Sequence, residues 1–204
     1  NEMADYNADN RYSYEKLNGD FIGKKGILDE QDFYNIENKD ILCTNFNDCT
    51  FANVKFINCK IIGCKFNNCK FIYGGVIFEN CIFIMENSLQ SPTLNNETNY
   101  SCEFYNCELY GEFKNCDLSY AIFENCLIRN TFFEITMMKS TILNTCEINK
   151  IKISDCDLSG FKTHKCYIVD LEFDDKYKTK LDEKTFFDKL VEIKKDRGEI
   201  EGIY

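Results

Sequence analysis

Cysteine and histidine side chains are the groups in this sequence with the capacity for nucleophilic, redox or metal chemistry. The chain of 204 residues contains 13 cysteines and a single histidine, His164. A thiolate acts as a nucleophile or soft-metal ligand, and a histidine acts as a base or a ligand. No C-x-x-C motif occurs, which disfavours zinc, and the sequence contains no P-loop or dinucleotide-binding fingerprint.

The spacing of the cysteines follows a five-residue period. All of them except Cys43 lie two residues before a large, mostly apolar residue, as in the tripeptide at 59–61. A helix face repeats about every 3.6 residues and a strand face every 2, so this period requires a backbone that turns after every fifth residue. We call the large residue the centre and the residue two before it the small slot. The period is clearest in the centres Phe51, Phe56, Ile61, Phe66 and Phe71.

This pattern resembles the pentapeptide-repeat family, whose loose consensus A-[DN]-[LF]-X-X places a small residue two positions before an inward Leu or Phe. The resemblance implies an all-β solenoid, a right-handed quadrilateral β-helix in which each pentapeptide forms one side and four form a coil. Cysteine occupies the small slot most often here, and the resemblance implies that it points inward. We therefore favour reduced, buried thiols over a disulfide framework or a metal site, and expect no cofactor.

The repeat divides the chain into three predicted parts. These are an N-terminal cap segment at 1–32, a β-helix of about six coils at 33–173, and a C-terminal segment at 174–204. The frame slips at 73–76 and loses one residue at 111–113. The polar stretch 84–101, which contains the single proline, interrupts the repeat and is interpreted as a loop outside the wall.

The C-terminal segment changes its apolar spacing to three or four residues between 181 and 197, which predicts an amphipathic α-helix. A short apolar tail follows it. A helix with a tail resembles the end of the Qnr/MfpA-type members, where this module closes the rod and joins two rods. The resemblance implies a homodimer, and a cap helix in a monomer is the alternative. The expected dimer contacts are Phe186, Phe187, Leu190, Val191, Ile200, Ile203 and Tyr204.

Three bands of outward residues lie between the small slots and the centres. The basic band comprises Lys55, Lys60, Lys65 and Lys70. The acidic band comprises Glu103, Glu108, Glu112 and Asp117. The apolar band comprises Ile122, Leu127, Phe132, Met137 and Ile142. Charged bands are ordinarily solvated walls, whereas a large exposed apolar patch is uncommon on a monomer. The apolar band is thus covered by the 84–101 loop, covered by a partner, or scattered and without a role.

The net charge of −10 disfavours direct binding to nucleic acid or an anionic membrane, and it permits binding to a basic surface. Qnr/MfpA-type members engage bacterial type II topoisomerases and can confer quinolone resistance. The resemblance therefore implies an acidic DNA mimic that binds DNA gyrase or topoisomerase IV, although the basic band is unusual for such a mimic. Candidate partner-binding residues are Glu103, Glu108, Glu112, Asp117, Leu127, Phe132, Met137, Glu86 and Gln90.

A structural scaffold with an unrelated protein partner is the alternative function. An enzyme is disfavoured, because His164 is expected to face outward and its neighbour Cys166 occupies a small slot aimed into the tube. No signal peptide opens the sequence, and no run of about 18 apolar residues occurs. We therefore expect a cytoplasmic protein without a catalytic site.

Overall fold

The computed structural model describes residues 4–7, 21–22, 34–42, 44–47, 50–67, 70–85, 102–175, 179–180 and 202–203. These residues form an all-β solenoid, as expected. Within them there is no helix long and apolar enough to cross a membrane. The α-helix expected at 181–197 lies outside the described residues.

The described residues contain 19 strands. They are β1 Ala4–Asn7, β2 Phe21–Ile22, β3 Tyr34–Glu37, β4 Asp40–Leu42, β5 Thr44–Asn47, β6 Thr50–Ile57, β7 Lys60–Ile62, β8 Lys65–Asn67, β9 Lys70–Glu79, β10 Ile82–Met85, β11 Cys102–Tyr105, β12 Glu108–Lys114, β13 Ile122–Glu124, β14 Leu127–Glu134, β15 Ile142–Asn144, β16 Glu147–Ser154, β17 Lys162–His164, β18 Tyr167–Asp175 and β19 Gly202–Ile203.

The strands pair in parallel with partners one turn away along the chain. Phe123 pairs with Leu143, which in turn pairs with Thr163, so one turn contains twenty residues or four pentapeptides. The two large ladders run β4-β7-β10-β12-β14-β16-β18-β19 and β2-β6-β9-β11-β13-β15-β17, and a smaller one runs β1-β5-β8. Among the described strands, the pairing of β19 with β18 is the one antiparallel pairing. Among the described residues, isolated bridges join Asp117, Met137, Asp157 and Lys180 on another side.

Two sides of the solenoid carry long ladders of paired strands. Side 1 has the centres Ile36, Phe56, Phe78, Phe104, Phe123, Leu143 and Thr163. Side 2 has the centres Ile41, Ile61, Phe83, Leu109, Ile128, Ile148 and Ile168. The next two sides along the chain, sides 3 and 4, carry centres such as Phe113 and Leu118.

The centres fill the interior of the tube. The buried centres run from Ile36 to Phe173, and each exposes 8% or less of its surface, which confirms the predicted five-residue register there. Phenyl rings stack along side 1, with centroids 5.0 Å apart for Phe78 and Phe104 and 4.4 Å apart for Phe104 and Phe123. The single continuous core is therefore a column of stacked side chains that runs the length of the ladders.

Between Ile36 and Phe173, three of the described turns depart from twenty residues. Phe56 pairs with Phe78, which confirms the slip expected at 73–76, and Phe78 pairs with Phe104 across the expected insertion. The next turn is one residue short, because the ladder shifts register between Leu109 and Gly111. Residues 86–101 of the insertion lie outside the described residues.

The strands nearest the two chain ends also join the ladders. Tyr6 of β1 pairs with Phe46, and Phe21 of β2 pairs with Phe51, so parts of the expected cap segment pair in parallel with the first coils. At the other end, Ile203 of β19 pairs with Tyr167 on side 2.

The corners have a backbone conformation that the sequence analysis did not anticipate. From Asn115 to Asp170 every fifth residue has a positive φ, between 46° and 71°. This left-handed region suits Gly and Asn and is unfavourable for β-branched residues. Corner asparagines also bond along the rod, since Asn125 Nδ2 donates to Asn106 Oδ1 at 2.6 Å. The frequent Asn two residues after a centre is the feature of the sequence that could have predicted these left-handed corners.

Ile135 occupies a corner that disfavours its side chain, so replacement by asparagine is expected to stabilise the protein. Its φ is 50° and its side chain is 47% exposed, so Ile135→Asn relieves strain without creating a cavity. We expect a gain of about 1 kcal/mol in the free energy of unfolding, measured by urea denaturation. Ile142→Asn, at an exposed strand position, is the control and should give no gain.

Candidate functional site

The outer walls of sides 1 and 2 carry a cluster of carboxylates. They lie on neighbouring rungs, where a rung is one strand of a ladder and the next rung is the strand paired with it one turn later. Glu79 pairs in register with Tyr105, and Tyr105 pairs with Glu124. Glu103 lies two residues before Tyr105 on the same strand, and Glu108 opens the next side. We call Glu79, Glu103, Glu108 and Glu124 the acidic patch. Successive rungs are about 4.8 Å apart, so these charges form a compact surface.

Two tyrosines hold carboxylates of the acidic patch in place. Tyr105 Oη donates a hydrogen bond to Glu103 Oε2 at 3.0 Å, and Tyr110 Oη donates to Glu108 Oε2 at 3.2 Å. Each tyrosine follows its glutamate by two residues, so both side chains project from the same strand face. Partial burial, followed by the charge of Glu108, raises the pKa of Tyr110. Tyr110 therefore stays protonated at neutral pH and donates its hydrogen bond to Glu108.

Cations border the acidic patch at both ends. Lys55 Nζ lies 3.2 Å from Glu79 Oε1, and Arg129 Nη2 lies 2.9 Å from Glu147 Oε1. Exposed pairs of this kind contribute little to stability, about 0–1 kcal/mol. The Nε atom of Arg129 is buried without a hydrogen-bond partner. The centre of the patch, from Glu103 to Glu124, retains an excess of negative charge.

The acidic band is only partly a surface feature. Glu103 and Glu108 are half-buried in the outer wall, and Glu112 is exposed on side 3. Asp117 is instead 8% exposed, and its Oδ1 accepts a hydrogen bond from the Ser119 N–H at 3.0 Å. The structure corrects the expected outward position of this carboxylate, because the turn that follows it draws it against the backbone.

The apolar band winds around the rod. Leu127 and Phe132 are half-buried, whereas Met137 and Ile142 are exposed. The Phe132 ring is shielded by Lys152, whose Nζ lies 5.7 Å from its centroid. Successive members of the band occupy successive sides, so they do not form one patch. This arrangement favours the interpretation of scattered residues.

Several predicted site residues fall outside what the structure describes. This holds for Glu86 and Gln90 in the insertion, and for the side chains of Lys65 and Lys70 in the basic band. It also holds for the expected dimer contacts Phe186, Phe187, Leu190, Val191, Ile200 and Tyr204 and for the side chain of Ile203. Their roles stay predictions.

The described thiols lie inside the tube and the histidine faces outward, as expected. Ten described cysteines are free and buried, and His164 is exposed. No group of three or more His, Cys, Asp or Glu side chains among the described residues is placed to hold a metal ion. Six of the cysteines stack on side 2. The five-residue period did not predict this column, because its cysteines recur once per turn and not in every pentapeptide.

Comparisons with known proteins agree with the repeat. A family model described as pentapeptide repeats (9 copies) matches residues 46–85. No curated protein sequence matches the chain. Two solved structures of trypsin-treated variants of QnrB1, a plasmid-mediated fluoroquinolone resistance protein, are similar to it at 16% identity. The first match covers 84% of this chain and 92% of the QnrB1 chain, with a TM-score of 0.36. The second match covers 83% of this chain and 97% of the QnrB1 chain, with a TM-score of 0.29. Residues 46–85 are therefore similar to pentapeptide repeats, and the same five-residue geometry continues through the described coils.

Proposed function

We propose that the protein is a non-enzymatic binding rod whose acidic surface docks onto a basic protein surface that normally holds DNA. The proposed partner is a bacterial type II topoisomerase, either DNA gyrase or topoisomerase IV, and the proposed effect is protection from quinolones. The acidic patch is the observation that supports this best. Its carboxylates occupy neighbouring rungs, and the Tyr105 and Tyr110 hydroxyls orient two of them.

Electrostatics supports a protein partner with a basic site. A net charge of −10 repels nucleic acid and attracts a positive cleft over a range set by ionic strength. Pre-oriented carboxylates lose little side-chain entropy on binding, so a larger part of the interaction energy appears as affinity. A cytoplasmic location and a homodimer through the C-terminal segment belong to the same proposal.

The described residues offer no support for catalysis. The exposed His164 follows Thr163, whose side chain is buried, and each described thiol lies inside the tube. A general base must reach the proton that it removes, and a nucleophile must reach its substrate. We therefore propose a role in binding alone.

A supercoiling assay with purified gyrase, with and without a quinolone, tests the proposal. We expect the full chain at micromolar concentration to inhibit supercoiling or to relieve quinolone inhibition. The double variant Glu103→Lys/Glu108→Lys should shift the effective concentration at least about tenfold, because it reverses the charge of the patch. The double variant Asp40→Lys/Glu172→Lys makes the same change in net charge at exposed positions elsewhere and should act like the wild type.

Two outcomes would contradict this proposal. If the full chain changes gyrase supercoiling neither with nor without the quinolone, a topoisomerase is not its partner. Equal losses in the two double variants would show that net charge, rather than the acidic patch, determines binding.

A scaffold with an unrelated protein partner is the second candidate, and one observation favours it. Leu42, Ile62, Ile84 and Tyr110 align in register along the outer wall of side 2. Leu42 is 48% exposed and Ile84 is 38% exposed. Such a strip suits a partner that buries apolar surface. A chain that acts as this scaffold leaves gyrase supercoiling unchanged, so the same assay separates the two functions.

A further inference from the structure

Six buried cysteines form one column along side 2. They are Cys59, Cys81, Cys107, Cys126, Cys146 and Cys166. The residues that follow them pair in register, as Lys60 does with Ile82, Ile82 with Glu108 and Glu108 with Leu127. Glu147 continues the register with Leu127 and Tyr167, so cysteines of neighbouring strands are adjacent along the whole column from Cys59 to Cys166.

Each sulfur of the column occupies a polar niche beside the backbone. Cys126 Sγ donates to the carbonyl oxygens of Phe104 at 3.3 Å and Glu124 at 3.4 Å. The backbone also offers donors, since the Cys146 N–H donates to Cys166 Sγ at 3.4 Å. N–H groups directed at sulfur favour thiolate, which is the form that binds metals.

The geometry points to a binding site for a soft, two-coordinate monovalent cation such as Cu⁺ between successive thiols of this column. Rungs of a sheet are about 4.8 Å apart. Metal–thiolate bonds are about 2.3 Å long, so a linear S–metal–S unit spans nearly the same distance. Thiolates are soft ligands that bind Cu⁺ and Zn²⁺, and a pair of thiolates without further ligands favours Cu⁺, because zinc requires about four.

Binding exchanges protons for the ion. Two thiols lose their protons to solvent, two sulfur–metal bonds form, and the resulting dithiolate complex carries one negative charge. Backbone N–H groups such as that of Cys146 stabilise this charge. A tetrahedral zinc site is disfavoured, because no three suitable side chains among the described residues are placed to share an ion. A two-coordinate ion requires only two.

A threonine interrupts a second line of buried cysteines, on side 4 of the tube. On side 4 the small slots of successive rungs hold Cys116, Thr136 and Cys156, so a threonine separates these two buried thiols. Thr136 Oγ1 donates to the carbonyl oxygens of Phe113 at 3.1 Å and Glu134 at 3.0 Å, the same pattern that the column thiols make. Cysteine to threonine is therefore a substitution that the fold already accommodates in this slot.

The test is an anaerobic titration of the reduced full chain with Ag⁺, and with Cu⁺ against a competing chelator. X-ray absorption then gives the coordination number. We expect the column to hold about three two-coordinate ions in the wild type and about one in Cys126→Thr/Cys146→Thr. The control Cys116→Thr/Cys156→Thr should retain the wild-type capacity. Far-UV circular dichroism should show unchanged β-structure on loading.

Three results would overturn the site. The first is an equal loss of bound ions in the two double variants, which would make binding a matter of cysteine number alone. The second is three- or four-coordinate metal. The third is loss of β-structure during loading, which would show that the ions reach the thiols only in the unfolded chain.

Discussion

Substitution of Gly111 by alanine is expected to lower the free energy of unfolding by about 3 kcal/mol or more. A Cβ at this position would lie 2.0 Å from the backbone oxygen of Met85, and the φ of Gly111 is +99°. Both the contact and the backbone angle exclude a side chain. Ile84 and Met85, expected at the start of the loop, belong instead to strand β10 of the wall. Met85 pairs with Gly111, so Gly111 is where the coil after residues 86–101 closes onto the coil before them.

Urea denaturation of Gly111→Ala against the wild type measures this effect, and Gly160→Ala is the matched control. Gly160 also has a positive φ, +71°, but the nearest atom to its added Cβ is the Ser140 hydroxyl oxygen, at 2.9 Å. That side chain can rotate, so a loss of about 1 kcal/mol is expected. Equal losses in the two variants would show that backbone angle, and not the approach of Met85, determines the effect.

Removal of the Phe123 ring is expected to cost about 3–5 kcal/mol, because the cavity lies within a close-packed column. The ring stacks on Phe104 at an interplanar angle of 2° and is 1% exposed. The midpoint of urea unfolding for Phe123→Ala gives the measurement. Glu124→Ala, one residue later on the outer wall, should change stability by less than about 0.5 kcal/mol. Similar midpoints for the two variants would contradict the inward register.

The five-residue period was sufficient to predict the inward register of the coils. Phe104 and Phe123 could be assigned to the core because their spacing matches neither a helix nor a flat strand. The irregular turns near 73–76 and 111–113 were also located correctly, since each displaces the next centre by a countable number of residues. The α-helix expected at 181–197 and the number of coils stay predictions.

The features that sequence did not predict depend on which residues share a side. The thiol column recurs once per turn, and irregular turns between Cys59 and Cys126 conceal that period. Asp117 has the same position in its pentapeptide as Glu108, but the hydrogen bond from the Ser119 N–H places it inside a corner. The apolar band looked continuous along the chain, yet consecutive pentapeptides face different directions. Pairing partners, rather than neighbours in sequence, determine the surface.

The pairing of each rung with the rung one turn away has a consequence for how such a rod can change. An insertion of one whole turn lengthens the rod, and every later side chain still faces the same direction around the rod axis. An insertion of one pentapeptide rotates everything after it by a quarter turn. The turn from Phe78 to Phe104 carries extra residues and the turn from Phe104 to Phe123 lacks one, but both close in register. For this reason Glu79, Glu103 and Glu124 still face one direction despite the irregular chain between them.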